Sequence, residues 1–395
     1  MKRIAELYKE SFAGLPKEVW MLAAVMFVNR CGSIVLFFLV LYLTSQLGFS
    51  VSEAGIIISF YGGGSLLGSY LGGVFTDRFG TNRVQIFSLF ATGITIVILD
   101  FLTAYYMIAS VVFLWAIVEG LFRPANNTAV SEACTGEIRP RGFVLNRLAI
   151  NLGVAIGPAV GGFLATIDYS YLFWVDGITC ICAAFLMIFF FNGTNFGIKK
   201  VKVAGETIIS PWSDKGFLFI LLLLLFMGIV FVQLFNTWPL HLREACFLSE
   251  DKIGLLLGLN AIFLVIVEMP LIHKLENFNT LKVIAIGSLF MFGGYALTSL
   301  NTSYIYLAFT VIVWTIGEML VFPLVAAFIA NRAADNNRGR YMGMFSFTFS
   351  LSFIIGPILG MWIYEQFGSS NLWMSIGLLG IFVFAGFLLF ERKQN

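Results

Sequence analysis

The chain alternates long apolar stretches with short polar segments. A membrane-spanning helix needs about 20 consecutive apolar residues, and twelve stretches meet that requirement. We number them as spans 1 to 12 and predict their limits at 19–45, 52–75, 83–103, 105–131, 142–166, 171–191, 215–241, 252–274, 281–300, 303–330, 341–364 and 370–390. The stretches are too long for the strands of a membrane barrel. The pattern therefore predicts an all-α integral membrane protein with twelve transmembrane helices.

Composition agrees with this class and excludes several others. Of the 395 residues, 59% are hydrophobic and 12% are charged, roughly half the charged share of a soluble domain. The net charge of +2 gives no reason to expect a nucleic-acid partner. The five cysteines have neither disulfide nor metal-ligand spacing. Nucleotide-binding loops and catalytic motifs are missing from the sequence, so we expect no enzyme activity, no cofactor and no metal.

The distribution of positive charge predicts an orientation. Twenty of the 24 lysines and arginines lie in the N-terminal segment, the C-terminal tail and the connections after even-numbered spans, counting Arg147 at the start of span 5. Positively charged connections stay in the cytoplasm. We therefore expect both termini to be cytoplasmic, in the plasma (inner) membrane of a bacterium.

The sequence repeats itself at a fixed offset of 199 residues. The matching pairs are Trp115 and Trp314, Glu119 and Glu318, Pro124 and Pro323, Gly157 and Gly356, Pro158 and Pro357, and Gly161 and Gly360. Six spans separate the copies, and because six is even, both copies enter the membrane in the same direction. We predict two parallel six-helix halves, 1–191 and 215–395, joined by a cytoplasmic linker at 192–214. Parallel repeats favour a transporter with its site between the halves, working by alternating access.

Two motifs resemble those of the major facilitator superfamily. The connection after span 2 is similar to that family's signature loop, although Thr81 and Asn82 replace two basic residues. Its matching residues are Gly73, Asp77, Arg78, Gly80 and Arg83. Span 5 is similar to a helix motif of the twelve-helix drug:proton antiporters, although Val144 replaces an early glycine. Its matching residues are Gly153, Gly157, Pro158, Gly161 and Gly162, and Gly356, Pro357 and Gly360 repeat part of the motif in span 11.

The resemblance implies that spans 1, 4, 7 and 10 line a central cavity. It also implies that Asp77 closes the cytoplasmic side through the N-terminus of span 11. The residues alone leave a second interpretation open for each motif. The loop would then only set the topology, and the glycine-proline pairs would only serve helix bending and packing.

Charged residues inside membrane helices are costly and mark functional sites by default. Glu119 and Arg123 share one face of span 4, and Arg30 in span 1 lies at nearly the depth of Glu119. We predict that Glu119 and Glu318 bind protons or cations, because burial favours a neutral carboxyl group and an arginine favours a charged one. A purely structural ion pair stays open for Glu119. Glu268 would join a gate or reach the interface.

Several polar and aromatic residues in the spans are predicted to line the cavity or to satisfy helix contacts. These are Asn29, Gln233, Asn236, Asn260, Trp115 and Trp314. By contrast, Asp176 near the outer end of span 6 and His241 at the end of span 7 are expected to face water. Trp238 has two interpretations: an aromatic wall for an apolar substrate, like Trp115 and Trp314, or an anchor at the membrane interface.

We therefore expect a monomeric secondary transporter whose partners are protons, a small-molecule substrate and the lipid bilayer. The leading hypothesis is proton-coupled efflux of amphipathic small molecules. One alternative is proton-coupled uptake of an anionic metabolite, peptide or siderophore, with Arg30 and Arg123 binding the anion. Others are a lysolipid flippase and, from a different class, a membrane receptor that transports nothing.

Overall fold

The computed structural model describes residues 14–134, 139–191, 211–275, 278–332 and 338–394. Within these ranges the chain is helical and contains no β-strand. Residues 192–210, which form most of the predicted linker and hold its three lysines, lie outside the described residues. The charged segment 1–13 lies outside them as well.

Each predicted span has a helical counterpart. Spans 1 to 6 contain the helices Lys17–Cys31 and Val35–Leu41, Val51–Phe79, Thr81–Leu99, Tyr105–Gly120 and Phe122–Ala133, Arg139–Ile167, and Ser170–Phe191. Spans 7 to 12 contain the helices Lys215–Val232 and Thr237–Glu244, Glu250–Leu275, Thr280–Leu297, Tyr304–Arg332, Arg338–Phe367, and Ser369–Gln394. Eleven spans pass a length and hydropathy test for crossing a membrane over the described residues. The remaining one, span 8, corresponds to the 26-residue helix Glu250–Leu275, which has an uncharged stretch at 253–267. The predicted all-α membrane fold is confirmed.

Contacts divide the described residues into two compact units. The first contains 14–35 and 64–191, and the second contains 36–63 and 211–394. The second part of span 1 and the first part of span 2 thus pack with spans 7 and 11. The Phe37 and Phe235 rings lie 4.8 Å apart, and a Cβ on Gly55 would lie 2.9 Å from that of Met361. The division into halves at 192–214 stays a prediction.

The first unit is a bundle with a large apolar core. Spans 1, 3, 4, 5 and 6 each contribute a buried side chain to it, namely Leu22, Leu89, Phe122, Leu145 and Met187. Lipid tails are as apolar as these side chains, so close packing rather than escape from water holds such helices together.

Glycines bring spans 2 and 4 into close contact. A Cβ on Gly120 would lie 3.0 Å from the Cα of Gly68, and a Cβ on Gly72 would lie 2.9 Å from the Cα of Leu121. Small residues four apart let two helix backbones approach each other in a membrane. The pattern at 64, 68 and 72 therefore fixes span 2 against span 4.

Spans 1 and 7 are broken helices, which the continuous apolar pattern does not predict. Span 1 ends its first helix at Cys31 and resumes at Val35, with Gly32 pressed so closely against Thr179 of span 6 that a Cβ has no room. Span 7 passes through a 3₁₀ turn at 233–235, and Asn236 has φ −127° and ψ −92°. Pro239 lies in the first turn of the resumed helix, where a missing N–H costs little. The two breaks lie at nearly equivalent positions of the repeat.

Asp214 ties three spans of the second unit together. It precedes the first helix of span 7 and accepts a hydrogen bond from the Phe217 N–H at 2.9 Å. Nε and Nη2 of Arg332, at the end of span 10, each donate to it at 2.8 Å. The Tyr341 hydroxyl of span 11 donates at 3.2 Å. The Arg332 hydrogen bonds hold the pKa of Asp214 below its ordinary value and, from the other side, raise the pKa of Arg332.

We predict that Asp214→Asn destabilises the protein at neutral pH. The change keeps a helix cap, because asparagine caps about as well as aspartate, but it removes the negative charge and so weakens the two charge-assisted hydrogen bonds from Arg332. Since the folded-state pKa of Asp214 is lowered, its contribution is present above the unfolded pKa of about 3.9 and is lost as pH falls through the folded value. Unfolding temperature in detergent, followed by tryptophan fluorescence, should therefore differ between variant and wild type at pH 7 and converge in acid. Asp251→Asn, at another helix start, should leave it unchanged; an equal loss there would contradict the prediction.

Candidate functional site

The first candidate site is an ion pair between spans 1 and 4. Nη1 of Arg30 lies 3.5 Å from Oε1 of Glu119, and both side chains are half-buried. Arg30 also lies 3.4 Å from the Ser33 hydroxyl, within the break of span 1. The two residues that the sequence put at equal depth are thus paired side by side.

Arg123 lies one helical turn beyond Glu119 but differs from Arg30 in exposure. Its side chain is exposed, whereas Glu119 and Arg30 are half-buried. Span 4 divides into two helices at Leu121, so Arg123 belongs to the second one.

Asp176 corrects the expectation of a water-facing carboxylate. It is 2% exposed, and its Oδ2 accepts hydrogen bonds from the backbone N–H groups of Ile34 and Val35 at 3.0 and 3.1 Å. Its Oδ1 lies 3.8 Å from the Cys180 thiol, and the Asn29 amide donates to the same sulfur at 3.4 Å. Counting residues along span 6 gives a depth near the surface, but the facing break in span 1 offers backbone donors that a continuous helix lacks.

The glycines of span 5 let it approach span 1 at Arg30. A Cβ on Gly153 would lie 2.5 Å from the Arg30 Cβ, and one on Gly157 would lie 3.1 Å from the Cys31 carbonyl oxygen. Gly161 and Gly162 are buried on the same helix. The span 5 motif thus serves close packing beside the ion pair, and Pro158 lies inside the continuous helix.

Span 11 repeats this arrangement against span 7. A Cβ on Gly356 would lie 3.2 Å from the Ile229 carbonyl oxygen, and the repeat relates Ile229 to Arg30. Gln233 donates to the carbonyl oxygens of Gly356 at 3.0 Å and Ile229 at 2.8 Å. Gly360 leaves no room for a Cβ beside the Gln233 side chain. The contact between spans 7 and 11 therefore has an uncharged residue, Ile229, at the position equivalent to Arg30, and the amide of Gln233 connects the two helices.

The second candidate site surrounds Glu318 in span 10, which is 4% exposed. The Asn260 amide of span 8 donates to its Oε2 at 3.0 Å and to the Thr315 hydroxyl at 2.9 Å. Oε1 of Glu318 has no hydrogen-bond partner, and no lysine or arginine of the described residues lies within ion-pair distance of it. Glu119 and Glu318 are equivalent in the repeat but have different partners.

Aromatic side chains pack beside Glu318 in the interior of the second unit. Tyr295 stacks on Trp314 at 5.2 Å and on Trp373 at 6.0 Å, and Trp238 meets Trp314 edge-on at 6.1 Å. The Tyr295 hydroxyl and the indole N–H groups of these three tryptophans have no hydrogen-bond partner among the described residues. Trp238 is fully buried, so its predicted place at the membrane interface is wrong.

His241 is also buried rather than water-facing. It is 3% exposed, and its ring packs against Trp373 at 5.6 Å. The Cys246 sulfur lies 3.6 Å from its Nε2. The prediction failed because the second helix of span 7 continues to Glu244 and keeps His241 inside the bundle.

The remaining polar candidates lie inside the units. Glu268 of span 8 is buried and acts electrostatically on Glu318. Asn236 is buried in the break of span 7 and donates to the Val232 carbonyl oxygen at 2.8 Å. Trp115 and Asn29 are buried in the first unit. These residues all occupy helix contacts, and their part in binding a substrate stays a prediction.

The signature loop lies at an exposed helix junction. Span 2 ends at Phe79, Gly80 has φ +86°, and span 3 begins at Thr81. Asp77, Arg78 and Arg83 are exposed, as is Gly73. A positive φ favours glycine, which explains Gly80 in this tight connection. The gating role of Asp77 stays a prediction.

A polar ladder in the first unit was missed by sequence reasoning. Asn146 of span 5 donates to Asn126 of span 4 at 2.8 Å, and Asn126 donates to Gln85 of span 3 at 3.2 Å. All three are buried. They carry no charge, so a search for charged residues in apolar helices passes over them. Among the described residues, no cluster of side chains suits a metal ion.

Comparison with known proteins identifies the family. The model of the Major Facilitator Superfamily matches residues 22–335 and, separately, 237–395. The chain therefore belongs to the Major Facilitator Superfamily, and it is a secondary transporter rather than an enzyme.

Individual relatives cover most of the chain at modest identity. The uncharacterised transporter YqjV of Bacillus subtilis (strain 168) is 25% identical over 90% of this chain and 89% of its own. A Na(+), Li(+), K(+)/H(+) antiporter of Planococcus maritimus is 24% identical over 93% of both chains. Multidrug resistance protein 1 of Bacillus subtilis is 24% identical over 80% of this chain and 82% of its own.

Solved structures confirm the fold. The nucleoside transporter NupG has a TM-score of 0.79 at 13% identity, covering 95% of this chain and 99% of its own. A transporter of the POT family has a TM-score of 0.80 at 18% identity, covering 97% of both chains. At this identity the likeness concerns the fold alone.

We predict that Gly153→Ala weakens the packing of spans 1 and 5. The added Cβ would lie 2.9 Å from the backbone carbon of Arg30 as well as close to its Cβ, so the helices have to separate. Unfolding temperature and transport rate should both fall. Gly343→Ala is the matched control, because nothing lies within 4 Å of its Cβ and alanine favours a helix by about 1 kcal/mol. Equal behaviour of the two variants would refute the close-packing role.

Proposed function

We propose that the protein is a proton-coupled exporter of amphipathic small molecules. It alternates access between two six-helix halves, 1–191 and 215–395, as a monomer in a bacterial inner membrane with both termini in the cytoplasm. Its energy comes from the proton gradient. Protons and substrate use different parts of the molecule.

The observation that carries the proposal is the surroundings of Glu318. Among the described residues, one carboxyl oxygen has no hydrogen-bond partner, and the other accepts from the neutral amide of Asn260 alone. Glu268 adds a second buried acidic group nearby. A charged carboxylate in such an interior is costly without a cation. Binding a proton removes this cost, so Glu318 is the group that takes up and releases the coupled proton.

The equivalent residue of the other half has a different role. Arg30 lies 3.5 Å from Glu119 and stabilises its charged form. A cationic substrate that approaches Glu119 competes with Arg30 for the carboxylate. In this scheme Glu119 responds to the substrate while Glu318 responds to the proton.

The names of two relatives support export by exchange. One is a multidrug resistance protein and another exchanges alkali cations for protons. The aromatic content of the chain, 16%, suits apolar and cationic ligands, which bind to ring faces.

A second candidate function is exchange of Na⁺, Li⁺ or K⁺ for protons. Alkali cations bind to oxygen atoms, and the Glu318 carboxylate and the Thr315 hydroxyl both supply oxygens, which lie 3.0 and 2.9 Å from the Asn260 amide nitrogen. The name of the Planococcus maritimus relative points the same way. Under this candidate a bare cation would replace the proton at Glu318.

Transport by purified protein in liposomes distinguishes the candidates. With an imposed pH gradient we expect wild-type protein to move tetraphenylphosphonium against its own gradient. Glu318→Gln should lose this pH-driven movement at least about tenfold, equivalent to 1.4 kcal/mol, while keeping exchange of labelled for unlabelled tetraphenylphosphonium. Glu18 is an exposed acid in the first turn of the helix Lys17–Cys31, and Glu18→Gln should behave like the wild type.

Other outcomes would overturn export of amphipathic molecules. Movement of radiolabelled Na⁺ but not tetraphenylphosphonium, lost in Glu318→Gln, would support alkali-cation exchange. Accumulation of an anionic metabolite that depends on Arg30 or Arg123 would support proton-coupled uptake instead.

A further inference from the structure

The break in span 1 is held by a carboxylate of span 6. Asp176 accepts the N–H groups of Ile34 and Val35 through one oxygen, Oδ2, at 3.0 and 3.1 Å. Those donors stand at the start of the resumed helix, Val35–Leu41, where backbone N–H groups lack partners within the helix. In a membrane no water replaces such partners, so Asp176 supplies what the break requires.

Arg30 lies on the other side of the same break. It is the penultimate residue of the helix Lys17–Cys31, and its Nη1 lies 3.4 Å from the Ser33 hydroxyl. Ser33 in turn donates to the Asn29 carbonyl oxygen at 3.3 Å. Ser33 therefore connects the guanidinium group of Arg30 to the backbone of the break, residues 32–34.

Span 6 forms hydrogen bonds at both ends of the break. Asp176 accepts from Ile34 and Val35, where the break ends. Cys180, one turn further along span 6, accepts a hydrogen bond at 3.4 Å from Asn29, which precedes the break. Thr179 lies so closely against Gly32 that no side chain fits there. The break is thus fixed to one helix on both sides of Arg30.

The second half of the repeat has no such carboxylate. The residue equivalent to Asp176 is Ser375, whose hydroxyl donates to the Leu372 carbonyl oxygen of its own helix. The break in span 7 is held by the neutral Gln233 instead. A buried carboxylate is therefore not a general requirement of a broken first helix in this fold, and it occurs in the half that carries the arginine.

We propose that Asp176 is a positioning residue that clamps the break of span 1 and so holds Arg30 against Glu119. Its effect on transport rests on the proposed function, whereas the clamp itself does not. The charged groups that face Asp176 are Arg30 and Glu119. Asp176 acts through hydrogen-bond acceptance at Oδ2, not by carrying a proton.

Hydrogen exchange of the backbone amides tests the clamp without any transport. In Asp176→Ala the amides of Ile34 and Val35 lose their acceptor, and their exchange should become at least about tenfold faster. In Asp176→Asn the side-chain oxygen still accepts both, so exchange should stay as in the wild type. Amides of the span 7 break serve as the internal control. Unchanged exchange in Asp176→Ala would overturn the clamp.

Transport in combined variants tests the connection to Arg30. We expect Asp176→Ala to slow transport by about tenfold, a size typical of coupled neighbours, and to add nothing in an Arg30→Gln background. In a Glu318→Gln background its effect on tetraphenylphosphonium exchange should remain in full. An effect that is independent of Arg30 would overturn the positioning role.

A conservative variant keeps the test decisive even if Asp176→Ala fails to fold. Asp176→Asn retains the side-chain oxygen that accepts from Ile34 and Val35, so it should transport like the wild type. If Asp176→Asn lost transport while the Ile34 and Val35 amides still exchanged slowly, Asp176 itself would carry a proton, which contradicts the proposal. If the wild type transports no substrate while exchange responds as expected, the proposed function fails and the clamp stands.

Discussion

The middle of a membrane contains no water, so polar groups there have to find partners within the protein. Four charged residues within the spans meet this constraint in different ways: Glu119, Arg30, Asp176 and Glu318. Glu119 pairs with Arg30, Asp176 accepts two backbone N–H groups, and Glu318 accepts from a single amide of the described residues. The incomplete set of partners is at Glu318. Its need for a proton or a cation follows from that deficit, and the coupling scheme depends on it.

The internal repeat explains why the carboxylates are related, and the differences between its copies explain why their chemistry diverges. Both halves pack a glycine-rich fifth helix against a broken first helix, with Gly157 and Gly356 at equivalent places. At the contact the first half has Arg30 and the second has Ile229. One scaffold therefore presents a charged pair in one copy and an uncompensated acid in the other. In the proposed function, this difference assigns the substrate to one copy and the proton to the other.

Most of the architecture was predictable from sequence because membrane helices are specified by length and apolarity. The depth of Arg30 relative to Glu119 was also predictable, since depth follows from residue count along straight helices. The breaks were not, because a glycine such as Gly32, or a polar residue such as Asn236, also occurs in continuous membrane helices and does not by itself mark a break. The burial of Asp176 and His241 depends on what faces them in neighbouring helices. A count along one helix carries no information on that.

The central claim is that the two repeat-related glutamates differ in proton binding. Infrared difference spectroscopy of the protein in lipid, titrated with pH, observes protonated carboxyl groups directly. We predict a carboxyl signal that appears and disappears with pH, vanishes in Glu318→Gln and persists in Glu119→Gln. A signal that persists in Glu318→Gln and vanishes in Glu119→Gln would contradict the account.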